Sequence, residues 1–362
     1  MAGEGKPAER RYVPALTGIR GIAAIWVALA HYFNILGGSP YLPSLGTGAI
    51  VRSGQLGVDL FFILSGFVLM MTHGSRMRGT AWPPIRAFAL GRIFRILPLN
   101  AAVLLILVAC RLLWPDWNWG GGPFTISTFA ASLLLVQSWV GNALAWNTPA
   151  WSLSAEWLAY VYFVVAAPVM NRFSAAWFAW GCAIGTFALL IAGLLLKPPV
   201  TLVHAETLGL VRCGTEFTIG MALQLIWRRH PKAPEWCFVL GVILLAGGLM
   251  IGNAEPLLVP AFALMIYCSA GKSVLATWAF GNPVSHFLGK ISFSLYLINV
   301  MLFRFVVGTS SLMPDGLMHE GLLIWGALPG LIIASVLLYR WVELPSHRLG
   351  QRLAQRGVVY PD

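Results

Sequence analysis

Long apolar segments separated by short polar loops make up most of this chain. Crossing the hydrocarbon core of a bilayer takes roughly 20 mostly apolar residues in an α-helix, and eleven segments come near that length. They are 14–34, 53–72, 93–114, 124–140, 148–170, 175–196, 207–227, 236–252, 257–271, 286–308 and 320–340. The pattern predicts an all-α fold, a polytopic membrane helical bundle that forms a single domain over residues 1–362.

Arginine and lysine indicate the side of the membrane on which each loop lies, because cytoplasmic loops carry the excess of positive charge. Basic clusters occur at the N-terminus, after 53–72, after 207–227 and at the C-terminus. Eleven crossings cannot put all four on one side. We therefore predict that 124–140, which is rich in Ser and Thr, is re-entrant or interfacial on the outer side. About ten helices then cross, and the N-terminus (1–12) and the tail (346–362) are cytoplasmic.

Composition supports a membrane protein. Apolar residues make up 58% of the chain and charged residues 10%, against about 45–50% and about a quarter in soluble domains. The net charge of +11 would suggest nucleic-acid binding in a soluble protein, but cytoplasmic loops account for it here, so no nucleic-acid partner is expected. The five cysteines lack CxxC spacing, which predicts neither a disulfide framework nor a metal site.

Ionisable residues inside crossing segments are costly and mark candidate functional sites. Arg20 and His31 share nearly the same face of the first segment, about 16 Å apart along the axis. Asp59 and Glu156 each lie about two turns inside the outer boundary of their segments, at about the depth of His31. We expect these three groups to converge in one layer, where a carboxylate could orient the imidazole. An anchoring arginine and a hydrogen-bonded histidine at a helix end would explain Arg20 and His31 equally well.

Further charged pairs occur at helical spacing. Arg92 and Arg95 are three positions apart and share a helix face. With Arg20 they could form a cationic patch at the inner surface, although an ordinary cytoplasmic cluster is the alternative. Arg212 and Glu216, four positions apart, are expected to pair.

Several ordered motifs resemble the acyltransferase 3 family of integral-membrane O-acyltransferases. They are LTGIRG at 16–21 followed by His31, GVDLFFILSGF at 57–67, WSLSAE at 151–156, LGKISFSLYL at 288–297 and ELP at 343–345. The resemblance covers residues 12–350. It implies transfer of an acetyl or other short acyl group from acyl-coenzyme A to a hydroxyl of a glycan, glycolipid or other acceptor, in the inner (plasma) membrane of a bacterium. The partners would then be acyl-coenzyme A, a glycan or lipid-linked acceptor and membrane lipids.

The resemblance also implies roles for single residues. The family's pattern of an arginine, a ten-residue gap and a histidine matches Arg20 and His31, so His31 is expected to be the general base. The paired arginines before the family's third span match Arg92 and Arg95, which with Arg20 are expected to bind coenzyme A. Asn299 is a departure, because the family commonly has a histidine there.

Together with their expected depth, the family match makes Asp59 and Glu156 catalytic candidates, as groups that orient His31. The hydrolase-like outer domain of some family members is not expected here. Two other functions stay open: a transporter or flippase of a lipid-linked glycan, and a family member that binds a ligand without turnover.

The acceptor site is expected near the start of the fourth crossing segment, 148–170. Trp151, Asn147 and Ser154 are the candidate substrate-binding residues there. Tryptophan stacks on sugar rings but is also common at membrane interfaces. Serines in membrane helices more often bond to their own backbone.

Overall fold

Every regular element in the described part of the chain is a helix, which confirms the all-α prediction. The computed structural model describes residues 13–36, 51, 53–77, 82–173, 176–196, 205–251, 257–312 and 326–355. The helices are α1 (Pro14–Ile35), α2 (Gly57–His73), α3 (Trp82–Leu113), α4 (Ile126–Leu133), α5 (Ala150–Arg172), α6 (Ala176–Leu196), α7 (Ala205–Arg229), α8 (Glu235–Met250), α9 (Leu258–Ala270), α10 (Val274–Phe280), α11 (Pro283–Ser310) and α12 (Ala327–Gln355). Short 3₁₀ turns, Ser53–Leu56 and Gly74–Arg76, flank α2.

A helix is present in each of the ten segments predicted to cross, but fewer have the length and apolar composition that crossing requires. In the described part of the chain six do, namely α1, α2, α3, α5, α11 and α12. A seventh results if α9 and α10, which meet at 97°, form one span. The count of ten is therefore not confirmed. α7 is long enough but carries buried charge at Arg212 and Glu216, and α8 has only 16 residues.

The segment 124–140 forms one short helix. α4 has eight residues, about 12 Å, which is too short to cross the hydrocarbon core. The Thr125 side chain caps it by accepting a hydrogen bond from the Thr128 backbone N–H. This length agrees with the prediction that the segment does not cross. The seven-residue α10 is a second short helix, which the apolar pattern does not predict.

The predicted C-terminal tail is partly helical. α12 continues through a π-helical turn at Tyr339–Glu343 to Gln355. Its last turns pack against α3, where Gly350 allows the two backbones to approach closely. Residues 346–355 are therefore part of the bundle, whereas 1–12 and 356–362 lie outside the described residues.

α1 and α11 pack in parallel and set the positions of the candidate site residues. A Cβ on Gly289 would lie 2.0 Å from the carbonyl oxygen of Thr17, so the two backbones are in direct contact there. Farther along the same two helices, His31 contacts Asn299. The contacts advance in the same direction on both helices, so each position on α1 faces a fixed position on α11.

α2 and α7 are equally close. A Cβ on Gly66 would lie 2.0 Å from the carbonyl oxygen of Phe217, and a Cβ on Gly220 would lie 2.0 Å from that of Ile63. A larger residue at either glycine would have to displace the backbone of the facing helix.

Candidate active site

A cavity of about 1030 Å³ runs beside α2. Its wall on α2 and the 3₁₀ turn that follows extends from Val58 to Arg76, about 27 Å at the helical rise. Residues of α1, α3, α5, α11 and α12 form the other walls. This shape suits a long, extended ligand.

Basic side chains gather at one end of the cavity, here termed the arginine end. They are Arg20, Arg76, Arg92, Arg95, His73 and His347. The expected grouping of Arg20, Arg92 and Arg95 is therefore present. Arg76 belongs to the basic cluster after 53–72, which indicates a cytoplasmic loop, and no motif distinguishes His347.

Two of these arginines are held in place by neighbouring groups. Arg20 donates from Nη2 to the carbonyl oxygen of Gly289 at 2.7 Å. Arg92 lies over the ring of Tyr160, with its Cζ 6.0 Å from the centroid. Nε of Arg92 is buried without a hydrogen-bond partner among the described residues. A buried guanidinium N–H without a partner is suited to donate a hydrogen bond to an anionic oxygen of a ligand.

The arginine end has fewer acids than bases. Glu156 interacts electrostatically with Arg92, and Glu343 interacts with Arg95 and Arg20. Among the described residues, four guanidinium groups at this end therefore accompany two carboxylates. The excess of positive charge favours a ligand with several negative charges at this end.

The opposite end of the cavity, here termed the apolar end, is lined by aromatic rings and a pair of hydroxyl groups. Phe61 and Phe62 line it, and the ring of Phe61 meets the edge of Tyr296 with centroids 5.7 Å apart. Oη of Tyr296 is 2.7 Å from Oγ of Ser152 and 3.2 Å from the carbonyl oxygen of Pro149.

His31 lies just beyond the apolar end. Its Nδ1 is 2.8 Å from Oδ1 of Asn299, which is completely buried. Tyr296, which lines the cavity, precedes Asn299 by three residues, about 4.5 Å along the axis. The α1 residues that line the cavity are Leu16, Thr17 and Arg20, and Val13, just before α1, lines it too. His31, which is half-buried, therefore lies about one helical turn beyond the last cavity-lining residue of α11 and about three turns beyond that of α1.

The predicted partner of His31 is wrong. Asp59 or Glu156 was expected to orient the imidazole, whereas the side chain in contact with it is that of Asn299. Each carboxylate has a different partner and lies at a different depth.

Asp59 is fully buried and bound by Arg212. Nε and Nη2 of Arg212 lie 2.5 and 2.6 Å from its two carboxylate oxygens. Nε of Arg212 is also 3.7 Å from Glu216. The predicted pair of Arg212 and Glu216 is confirmed, and Asp59 is the stronger partner that helical spacing could not indicate.

The depth of Asp59 follows from where α2 begins. A Cβ on Gly57 would lie 2.8 Å from Val27 Cγ2 and 3.2 Å from the carbonyl oxygen of Ala23. α2 therefore starts well below the level of His31. Asp59, two residues farther on, lies about 10 Å from His31 along the bundle.

Glu156 lies deeper still, at the arginine end. It accepts a hydrogen bond from Oγ of Ser65, which is six residues beyond Asp59 on α2, about 9 Å along the axis. It also lines the cavity and interacts electrostatically with Arg92. The expectation of a single layer of three ionisable groups is therefore wrong.

The start of α5 explains the depth of Glu156. Asn147, just before α5, is buried and donates from Nδ2 to the carbonyl oxygen of Leu297 at 2.9 Å. Oγ of Ser154 accepts a hydrogen bond from the backbone N–H of Ser138 at 3.1 Å. The loop before α5 is thus folded into the bundle, and α5 begins inside it instead of at the boundary.

Trp151, like Asn147 and Ser154, is in contact with other parts of the protein. Its ring meets that of Phe62 edge-on at 6.1 Å, and Cζ of Arg212 lies 5.9 Å from its centroid. The three candidate substrate-binding residues therefore join α5 and the loop before it to neighbouring parts of the bundle. In this region, Ser152 is a residue whose hydroxyl group lines the cavity.

Known proteins that are similar to this chain include several named as acyltransferases or O-acetyltransferases. A family model described as an acyltransferase domain matches residues 13–340. Acyltransferase MdmB of Streptomyces mycarofaciens is 26% identical over 378 aligned positions, which cover 93% of this chain and 92% of that protein. A Staphylococcus aureus (strain COL) protein named as an O-acetyltransferase is 25% identical; the match covers 94% of this chain and 58% of that protein. No solved structure matches the chain.

Proposed function

Because the chain belongs to the acyltransferase 3 family, and is thus an O-acyltransferase, we propose that it moves an acetyl or short acyl group from acyl-coenzyme A to an acceptor hydroxyl. The acceptor is a glycan, a glycolipid or a related molecule, and His31 is the general base. One observation carries the proposal: a cavity runs from Arg20, Arg92 and Arg95 to Tyr296, which lies about one turn before Asn299, the partner of His31.

The shape and charge of the cavity support acyl-coenzyme A as the donor. Its phosphates carry several negative charges, and planar guanidinium groups bind phosphate through paired charge-assisted hydrogen bonds. Arg20, Arg92 and Arg95 would hold them at the arginine end. The pantetheine arm would extend toward Phe61 and Tyr296, since about 16 Å of helix separates Arg20 from His31. The thioester would then lie near His31.

The reaction needs one proton acceptor that later becomes a proton donor. His31 removes the proton of the acceptor hydroxyl as the new C–O bond forms at the thioester carbonyl. The C–S bond breaks, and the same proton passes from the imidazolium to the departing thiolate of coenzyme A. The products are the acyl ester and free coenzyme A. Water excluded from the bundle cannot compete for the acyl group.

The contacts of Asp59 and Glu156 support roles other than orienting His31. Asp59 would stabilise the bundle through Arg212. Glu156 would modulate donor binding, because it lies beside Arg92 at the arginine end.

The acceptor would approach His31 from the side away from the cavity. Half-burial of His31 and its position beyond the apolar end support this direction. Trp151, Asn147 and Ser154 would then support the site from behind and would not bind the acceptor directly, since their contacts are with the protein itself.

The membrane is proposed to be the plasma membrane of a bacterium, with the arginine end toward the cytoplasm. The clustering of Arg76, Arg92 and Arg95 at that end supports this orientation through the positive-inside rule. Both termini would be cytoplasmic. The donor would enter from the side on which coenzyme A is made.

The test is acyl transfer by purified protein in nanodiscs. Radiolabelled acetyl-coenzyme A is supplied with a glycan and glycolipid extract from the host organism after deletion of the gene, and labelled ester is counted. Removal of a general base lowers the rate by about 10²–10⁴-fold, so His31→Ala should lose transfer while still binding coenzyme A. The matched control is His230→Ala, since His230 is exposed beyond α7. Equal rates for His31→Ala and wild type would remove His31 from the mechanism. Failure of the wild-type protein to form any labelled ester would refute the proposed activity.

A further inference from the structure

We propose that Asn299 is a positioning residue that fixes the tautomer of His31, with the proton on Nδ1 and the lone pair on Nε2. The consequence for catalysis rests on the proposed function, because only a base needs that lone pair. The tautomer itself follows from the hydrogen bonds of Asn299 and can be measured without any substrate.

The orientation of the Asn299 amide is set by the backbone of α11. Nδ2 of Asn299 lies 2.7 Å from the carbonyl oxygen of Tyr296. A carbonyl oxygen only accepts, so the group that faces it must be the amide NH₂. The reversed amide would bring two oxygens to this distance in a buried site, which is strongly unfavourable. Oδ1 is therefore the atom that faces His31.

The amide orientation decides which ring nitrogen carries the proton. Oδ1 of Asn299 is 2.8 Å from Nδ1 of His31, and an amide oxygen can only accept a hydrogen bond. Nδ1 must be the donor. A neutral imidazole has one N–H, so Nε2 is left with its lone pair.

The same contact suits both protonation states of the ring. When Nε2 takes a proton, Nδ1 remains a donor and the bond to Asn299 persists. His31 could therefore gain and lose a proton at Nε2 without any rotation of either side chain. A neutral amide provides this orientation without adding a charge beside the base.

The packing around Asn299 keeps the arrangement rigid. Asn299 is completely buried, and the adjacent turn is fixed where Oη of Tyr296 contacts Ser152. Direct backbone contact of Gly289 with Thr17 holds α11 against α1. The distance between Asn299 and His31 is thus determined by two packed helices.

The direct test is ¹⁵N NMR of the protein in nanodiscs with ¹⁵N-labelled histidine. The chain has seven histidines, and the His31 signals are those that His31→Gln removes. At about pH 8, where an ordinary imidazole is neutral, wild type should show a protonated Nδ1 and an unprotonated Nε2. Asn299→Leu should lose this preference, whereas Asn299→Asp, which also accepts from Nδ1, should keep it.

Thr309→Val is the matched control on α11, since Thr309 bonds to the carbonyl oxygen of Phe305 and lies ten residues beyond Asn299. It should leave the His31 signals unchanged. A protonated Nε2 in wild type would overturn the inference even if no Asn299 variant folds. Identical His31 signals in wild type and Asn299→Leu would also overturn it.

Kinetics separate this inference from the proposed function. Asn299→Leu should lower kcat at least tenfold, on the order expected for a mis-oriented base, with the KM for acetyl-coenzyme A unchanged. A general loss of structure would alter both. If His31→Ala is inactive while Asn299→Leu keeps the wild-type kcat, the inference about Asn299 fails and the proposed function stands. If wild type transfers no acyl group, the proposed function fails, and the NMR result alone decides the tautomer.

Discussion

Arg212 binds both carboxylate oxygens of Asp59 although the two residues are 153 positions apart. Both side chains are buried, and Glu216 beside them is buried too. Burial of the Asp59 carboxylate is tolerated because Arg212 pairs with both of its oxygens. The pair also fixes α7 against α2 next to the cavity.

The first prediction concerns this ion pair. Arg212→Met should lower the free energy of unfolding by about 3–5 kcal/mol, because it leaves two carboxylates buried without their cation. Reversible unfolding in mixed detergent micelles measures the change. Arg228→Met, on the same helix but exposed, should cost far less. Equal stability of the two variants would contradict a structural role for Arg212.

A second prediction tests the close packing of α2 and α7. Gly220→Ala should destabilise the protein by about 1–3 kcal/mol, the usual cost of overpacking, because the new Cβ would meet the Ile63 backbone. Gly214→Ala on the same helix meets nothing within 4 Å and should be neutral or slightly stabilising. The same unfolding measurement compares them. A stable Gly220→Ala protein would show that these helices are not in backbone contact.

The third prediction concerns donor binding. Arg92→Gln and Arg95→Gln should each raise the Kd for coenzyme A at least tenfold, since a hydrogen bond to a charged group contributes about 1.5–3 kcal/mol. Isothermal titration at low salt measures the change, which should shrink as salt is added. Arg111→Gln is the control, because Arg111 is on the same helix but stacks on Phe124. Unchanged affinity for coenzyme A in both variants would show that these arginines do not bind the donor and form an ordinary cytoplasmic cluster.

Glu156 gives a fourth prediction, opposite in sign. Glu156→Gln keeps an acceptor for Ser65 and removes a negative charge beside Arg92. Coenzyme A should therefore bind about two- to fivefold more tightly, which corresponds to about 0.4–1 kcal/mol. Glu235→Gln is the control, since Glu235 bonds to Ser273 at the start of α10.

A contrary result for Glu156 would be equally informative. If Glu156→Gln binds coenzyme A as wild type does but loses kcat, the carboxylate acts on the reacting groups and its assignment to donor binding is wrong. Tighter binding with little change in kcat would support its place at the arginine end.

The long apolar segments predicted where the long helices occur, because a helix that is apolar along its length must be buried in protein or lipid. It also predicted the grouping of Arg92 and Arg95, since residues three apart on a helix share a face. Both predictions depend on local spacing, which the sequence shows directly.

The depth of individual side chains in the helical bundle could not be predicted in the same way. Asp59 and Glu156 were placed by counting from assumed helix starts, and both starts lie inside the bundle because the chain before them folds inward. The partners Arg212 and Asn299 are far from Asp59 and His31 in sequence. Contacts of this kind depend on how helices pack, and hydropathy carries no information about it.

The parallel contact of α1 with α11 has one more consequence. A single α1 segment carries both Arg20 and His31, and α11 contacts each of them, at Gly289 and at Asn299. In the proposed mechanism, the reach from the donor phosphate at Arg20 to the reacting carbonyl at His31 is therefore a fixed number of helical residues. Changing the length of a surface loop would leave that reach intact. One residue inserted between Arg20 and His31 would turn the imidazole about 100° away from Asn299 and lengthen the reach by about 1.5 Å.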